Sequence, residues 1–276
     1  MTIKSVTILS VAALSSVVSM QTQAGATLTR IKQNHELVAV MDKSYPPFVF
    51  LNASNQLDGF DVDVVKEVAR RLKAKVRIET PAWEATIAGH WNGRWDVCIC
   101  SMTPDEQKAR VLDFPIRYYS SPAVVVVNAT NTRIKGGKDL QGKQVGVEQA
   151  SSYERYLNKG LKLYGDNTAQ PTYPFSSVTV HPYESEELAF QDLALGDGKR
   201  IDAVVSNLVA AKPRLAKYPG KFKIVGHPLY GEPNWVAIDK GDAEWGATLR
   251  KIITDMRHDG TLARISKRWV GSDITQ

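Results

Sequence analysis

Cys98 and Cys100 are the only cysteines of the chain, two positions apart in the apolar run Asp96-Val97-Cys98-Ile99-Cys100. On a regular strand, residues i and i+2 share a face with Cα atoms about 7 Å apart, beyond comfortable disulfide reach. An intrachain bridge is therefore not expected, even in an oxidising compartment. With no histidine near them in sequence, a metal site lacks its ligand set, and none is expected. His90, His181, His227 and His258 are scattered, and no Ser-His-Asp order is present. The acids Asp42, Glu148, Glu184 and Glu186 could each protonate a leaving group, yet none is paired with a base at a spacing that forces their geometry. Neither an enzyme nor a bound cofactor is expected. What remains is polar chemistry at chain turns. In Asp42-Lys43-Ser44-Tyr45-Pro46-Pro47-Phe48 an acid and an aromatic sit in a loop that two prolines keep out of regular structure.

The elements around these residues alternate in type. A strand is predicted at 36–40, ending at the proline loop. Val64, Val65, Val68 and Leu72 then fall at helical spacing over 61–72, with Asp61 or Asp63 near the positive end of the helix dipole. A strand at 75–79, a helix at 83–91 and a strand at 96–100 follow, an order that implies a parallel sheet with helices on both faces. The pattern restarts with strands at 144–147, 178–181 and 201–206 separated by helices at 152–158 and 185–195. The segment 160–174 reads as a loop-like insertion. Between the two series lies the β-rich run 122–128, and a second extended stretch is predicted at 235–238. If both cross between lobes, the fold is α/β with two lobes: 27–121 plus 232–276 form the first, and 122–231 the second. The helical spacing of Leu249, Ile252, Ile253 and Met256 returns the terminal piece to the first lobe. Ligands of open α/β sheets bind at the carboxyl ends of strands, so the cleft between lobes is the expected site.

The amino terminus carries one charge, Lys4, then the apolar run 6–20 and the small residues Thr22-Gln23-Ala24-Gly25-Ala26. This predicts a secretory signal peptide, 1–24, with cleavage after Ala24 or Ala26. About 15 weakly apolar residues are short for the roughly 20 that span a bilayer. About 250 residues remain after cleavage, ample for two buried cores. Loss of Lys4 takes the net charge from +6 to +5. No basic cluster exceeds the pairs Arg70-Arg71 and Lys267-Arg268, so a nucleic-acid partner is not expected.

Read in order, the proline loop, Gly59-Phe60-Asp61-Val62-Asp63, the segment 96–103, Asp113-Phe114 with Tyr118-Tyr119, Gly142-Lys143-Gln144-Val145-Gly146-Val147 and Asp202-Ala203-Val204-Val205 resemble the family 3 extracellular solute-binding proteins. The resemblance runs from about Leu37 to Trp269. It implies a periplasmic, monomeric receptor of the type II periplasmic-binding-protein fold, with two hinge strands. Such a receptor closes on a small polar ligand, an amino acid or a derivative, and delivers it to the membrane permease of an ABC importer. Two alternatives use the same fold: a cyclohexadienyl-dehydratase-like enzyme, and a sensor that presents its closed form to a membrane partner.

The resemblance assigns cleft residues position by position. Asp42 matches the residue facing a distal cationic group of the ligand, and a loop-capping role is the alternative. Tyr45 and Trp83 match two aromatic walls, suited to an aliphatic stem or a cation held over ring faces. Cys100, Ser101 and Thr103 match the segment that holds the polar head; Cys100 stands where a serine is usual, as a small lining residue or a reactive thiol. Ser151 and Ser152 match a helix start that holds a carboxylate, with plain N-capping by Ser151 equally compatible.

Two positions depart from the pattern. Lys108 stands where an arginine clamps the α-carboxylate, which removes the planar two-bond fork while keeping the charge. Asn207 stands where an aspartate takes the α-ammonium group, which removes the charge. Either the ligand lacks a standard amino-acid head, as in N-substituted, opine-like or carboxylic-acid compounds, or neighbouring groups such as Glu148 or Glu184 compensate.

Overall fold

In the computed structural model, which describes residues 25–165 and 168–276, runs of valine and isoleucine make the strands and amphipathic segments cover them. The predicted signal peptide lies outside the described residues. The elements run α1 (Ala26–Asn34), β1 (Glu36–Val40), a small hairpin of β2 (Phe50–Leu51) and β3 (Leu57–Asp58), α2 (Phe60–Arg71), β4 (Lys75–Glu79), α3 (Trp83–Ile87) and β5 (Val97–Met102). There follow β6 (Leu112–Asn128), β7 (Gln144–Glu148), α4 (Ser152–Leu157), β8 (Thr179–Tyr183), α5 (Glu186–Ala194), β9 (Ala203–Asn207) and α6 (Leu208–Lys217). The chain closes with β10 (Phe222–Asp239), α7 (Ala243–His258) and α8 (Thr261–Val270). Among the described residues no helix is long and apolar enough to cross a membrane.

One eight-stranded sheet carries both lobes, in the order β4-β1-β5-β10-β6-β9-β7-β8. Its outer parts are parallel, β1 with β4 and β5 at one end and β7 with β8 and β9 at the other. The centre is antiparallel, because β6 and β10 run side by side from Leu112 opposite Asp239 to Asn128 opposite Phe222. These two strands, 17 and 18 residues long, extend well beyond the predicted runs. Prolines and glycines such as Pro115, Pro122, Gly231 and Pro233 hide their period in the sequence, and three register shifts in the pairing absorb them.

Apolar side chains gather in separate cores. One contains Leu37, Val65, Ile99, Trp245 and Leu249 under the first series of elements. Two others lie on opposite faces of the second series, one around Val145, Val147 and Tyr156 and one around Val126, Phe190 and Leu193. Helix α7 returns to the first core as its spacing predicts, and the Trp245 indole N–H donates to the Asp96 carbonyl at 2.7 Å.

The structure corrects the reading of the cysteines: Cys98 and Cys100 are disulfide-bonded, with Cα atoms 5.2 Å apart. The strand there is not regular. Trp235 of β10 pairs with Met102 and Ala237 with Cys98, so five β5 residues face three. Ser101 takes a left-handed φ of 54° within this bulge. Bulging shortens the strand locally, which brings the i and i+2 residues within bridging reach.

Candidate functional site

The site is built where β1 and β5 end and where α4 begins. After β1 the chain turns through the proline loop, fixed from below by backbone bonds from Phe60 N–H to Pro47 O at 3.0 Å and from Asp61 N–H to Phe48 O at 2.9 Å. Gly59, with φ 132°, permits this approach, since a Cβ there would collide with the Phe48 carbonyl. The loop thus presents Tyr45 with a rigid backing: its ring stacks on Phe48 with centroids 5.3 Å apart, and Phe48 stacks on Tyr119 at 5.0 Å. Trp83, at the start of α3, lines the same cavity half-buried.

A small cavity between the lobes is lined by Asp42, Tyr45, Trp83, Cys100, Ser101, Thr103, Lys108, Ser151 and Ser152, together with Glu148, Tyr153 and Glu232. All the residues assigned from sequence except Asn207 meet at this cavity. Asn207 instead caps α6, its carboxamide oxygen accepting from Val209 N–H at 2.9 Å. Its amide N–H donates to Glu232 at 3.2 Å. The lobes touch across the cavity, Tyr45 from one side and Tyr153 from the other, with their hydroxyls 3.3 Å apart.

At one end of the cavity Lys108 is only 3 % exposed. Its ammonium donates to the Thr103 carbonyl at 3.0 Å and to Asp105 at 2.8 Å. Burial lowers its pKa, opposed by the Asp105 charge. Burial alone would raise the Asp105 carboxyl, but Lys108 and then Arg155 hold it below its ordinary value. Arg155 contributes an ion pair to Asp105 at 3.2 Å. Arg110 is exposed and takes no part in this network.

Behind this end lies the bulge. Ser101 donates its hydroxyl to Asp61 at 2.7 Å and its N–H to the Tyr118 hydroxyl at 2.7 Å, and Tyr118 donates to Asp61 at 2.7 Å. Burial raises the Asp61 carboxyl to about 7 against these two hydroxyl donors. Ser101 is therefore held by the wall as well as lining it.

The other end is acidic. Burial first, and then the facing Asp42 carboxylate, push the Glu148 carboxyl well above its ordinary value. Asp42, Trp83 and Glu148 also line a wider mouth with Glu84, Gln149 and Glu184. Of the other acids singled out from sequence, Glu186 is buried and paired with Arg214 at 2.7 Å. Ser151 acts as the N-cap of α4: its hydroxyl accepts from Glu154 N–H at 3.2 Å and donates to the Glu148 carbonyl at 2.6 Å.

Sequence reasoning missed Glu232 and Tyr153. Glu232 accepts four hydrogen bonds, from the hydroxyls of Thr103 at 2.8 Å, Ser152 at 2.5 Å and Tyr153 at 2.7 Å and from Asn207. Nothing marks it in the sequence, because it lies in Gly231-Glu232-Pro233, a stretch that resembles a turn and is the middle of a long strand.

The profile of the bacterial extracellular solute-binding proteins, family 3, matches residues 37–272. The L-cystine-binding protein TcyJ of Escherichia coli (strain K12) is 28 % identical over 90 % of this chain and 88 % of its own length. The solved structure of an ancestral arginine-binding protein bound to arginine has a TM-score of 0.74 at 31 % identity, covering 85 % of this chain and 98 % of the other. The ancestral amino-acid-binding protein AncCDT-1, described as a precursor of cyclohexadienyl dehydratase, has a TM-score of 0.76 at 26 % identity, covering 88 % and 99 %. The two-lobed solute-binding fold is shared with these structures.

Proposed function

We propose that this chain, which belongs to the bacterial extracellular solute-binding proteins, family 3, captures a polar L-amino acid with a second cationic group at its far end. The observation that carries this reading is the polarity of the cavity. The buried cation Lys108 marks one end, the facing carboxyls of Asp42 and Glu148 mark the other, and the rings of Tyr45 and Trp83 line the same cavity. A carboxylate belongs beside Lys108, a cation between Asp42 and Glu148, and an aliphatic or disulfide stem between the rings. Arginine, lysine and cystine all have this outline. The names of the relatives, cystine-binding and arginine-binding, support it.

The lobes, 27–121 plus 232–276 and 122–231, articulate where β6 and β10 cross between them, and ligand contacts from both sides favour closure. The closed monomer delivers its ligand to the permease of an ABC importer in the periplasm. Cleavage after Ala24 suits the structure better than cleavage after Ala26. The N–H groups of Gly25 and Thr27 both donate to Asp242 at 3.3 Å, which ties the start of α1 to α7. Likeness to AncCDT-1, itself an amino-acid-binding protein, supports binding without turnover.

The test is a thermal-unfolding screen of mature protein, unfolded and refolded to strip bound ligand. The probes are L-arginine, L-lysine, L-cystine, L-glutamine and deaminated or N-substituted analogues. A ligand at a thousand times its Kd stabilises by about 4 kcal/mol, a rise of several degrees in Tm. The expected hits carry a free α-amino-acid head and a distal cation. Hits confined to neutral or headless compounds reject the reading.

A further inference from the structure

Asn207 leaves the amino-acid head without the carboxylate expected for its ammonium group, yet a carboxylate lies 3.2 Å from its amide nitrogen. Glu232 is 3 % exposed and lines the cavity. We infer that Glu232 is the specificity-determining anion of the head-group site, taking over from β10 the role that a side chain at position 207 would perform from the end of β9. The inference rests on the amino-acid reading above.

Charge carries the first part of the argument. Both oxygens of Glu232 are hydrogen-bonded, but every donor, Thr103, Ser152, Tyr153 and Asn207, is uncharged. A carboxylate withdrawn from water without a cation is costly, and hydrogen bonds from neutral groups offset only part of that cost. Lys108, the nearby buried cation, already donates to Asp105 and to the Thr103 carbonyl. An ammonium group arriving in the cavity supplies the missing counter-charge and can replace one hydroxyl donor.

Placement carries the second part. Thr103 touches both charges, its hydroxyl bonded to Glu232 at 2.8 Å and its carbonyl to Lys108 at 3.0 Å. An α-amino acid presents its carboxylate and ammonium on one carbon, so it needs a cation and an anion close together. Lys108 and Glu232 meet that requirement. The donors come from the segment just after β5, from α4 and from β9, which belong to both lobes, so the same carboxylate that selects the head also reports closure.

A cycle of protein and ligand changes tests the assignment by titration calorimetry. Each ligand is paired with its counterpart lacking only the α-amino group: L-arginine with 5-guanidinopentanoate and L-lysine with 6-aminohexanoate. Glu232→Gln should weaken the α-amino acid by about 10- to 100-fold, the range of a charged hydrogen bond, and its deaminated counterpart by less than about threefold. The double variant Glu232→Gln with Asn207→Asp moves the carboxylate to the neighbouring strand and should recover most of the lost affinity, an outcome a merely structural Glu232 would not give. Equal weakening of both members of a pair, or no recovery in a double variant that unfolds with a normal Tm, overturns the assignment and leaves the amino-acid reading standing. Wild-type protein that binds none of the amino acids overturns both. If Glu232→Gln alone fails to fold, the double variant and Glu232→Asp carry the test, since Asp keeps the charge and should keep the preference for the α-amino acid.

Discussion

The two ends of the cavity are built from the same kinds of groups and solve different problems. At the Lys108 end the charges are met by fixed partners: Asp105, Arg155, the Thr103 carbonyl and the bonded Glu232 form a network held by β5, α4 and β10. At the Asp42 end two carboxyls face each other, and Asp42 has one local bond, accepting from Ser44 N–H at 3.1 Å. A preorganised network suits the part of a ligand that never varies, because its groups do not have to reorganise on binding. Opposed carboxyls at a wider mouth suit a part that can vary in length and hydration while keeping its positive charge.

The sharpest way to break this contrast is Lys108→Ala. Removing a desolvated cation that faces the ligand carboxylate should weaken binding by about 2–3 kcal/mol, roughly a hundredfold in Kd by calorimetry. The loss should be similar for every ligand, because the head is common to all. Arg155 still neutralises Asp105, so the variant should fold. Affinity unchanged by the substitution would show that Lys108 serves Asp105 alone.

Glu148→Gln should act more weakly and selectively. It should cost about 1 kcal/mol for arginine or lysine and nearly nothing for glutamine, whose far end is neutral. Because Glu148 is raised by burial and by Asp42, a cation entering beside it favours the ionised carboxylate and should expel any proton it holds. Binding of a cationic ligand should therefore tighten as pH rises. Calorimetry in two buffers of different ionisation enthalpy should detect the release, and Glu148→Gln should abolish it. Equal losses for charged and neutral ligands would erase the distinction between the ends.

Much of this architecture is legible in the chain because local chemistry and fold agree. Alternation of strands and helices, with Val64, Val65 and Val68 on one helix face, is enough to place β1, α2, β4 and β5. The proline loop and the hydroxyls after β5 mark the cavity for the same reason: such residues terminate elements at the edge where clefts form. What stays hidden is non-local. The bulge that joins Cys98 to Cys100 arises from the register with β10, more than a hundred residues later. The partner of Asn207 is likewise decided by strand order, since β6 lies between β9 and β10 and carries their ends together. Helix α6 escapes notice because Pro213 interrupts its period midway.

The remaining contrast separates the two ends by the sign of their pH response. Asp61 sits behind the Lys108 end with its pKa raised by burial to about 7, against an ordinary value near 4 in the unfolded chain. Over that interval the folded state binds more protons than the unfolded state. The contribution of Asp61 is therefore full below about pH 4 and is lost as pH rises through 7, with a slope of at most about 1.4 kcal/mol per pH unit. Its place in the first turn of α2 opposes the rise, because the helix dipole favours the ionised form. Stability at the head end should thus fall as pH rises, whereas cation binding at the mouth tightens. Tm measured from pH 5 to pH 8 without ligand should show the decline, and Asp61→Asn, which cannot ionise, should flatten it by a few degrees. A variant that keeps the wild-type slope would place the responsible proton elsewhere and leave the bulge at Ser101 without a part in the response.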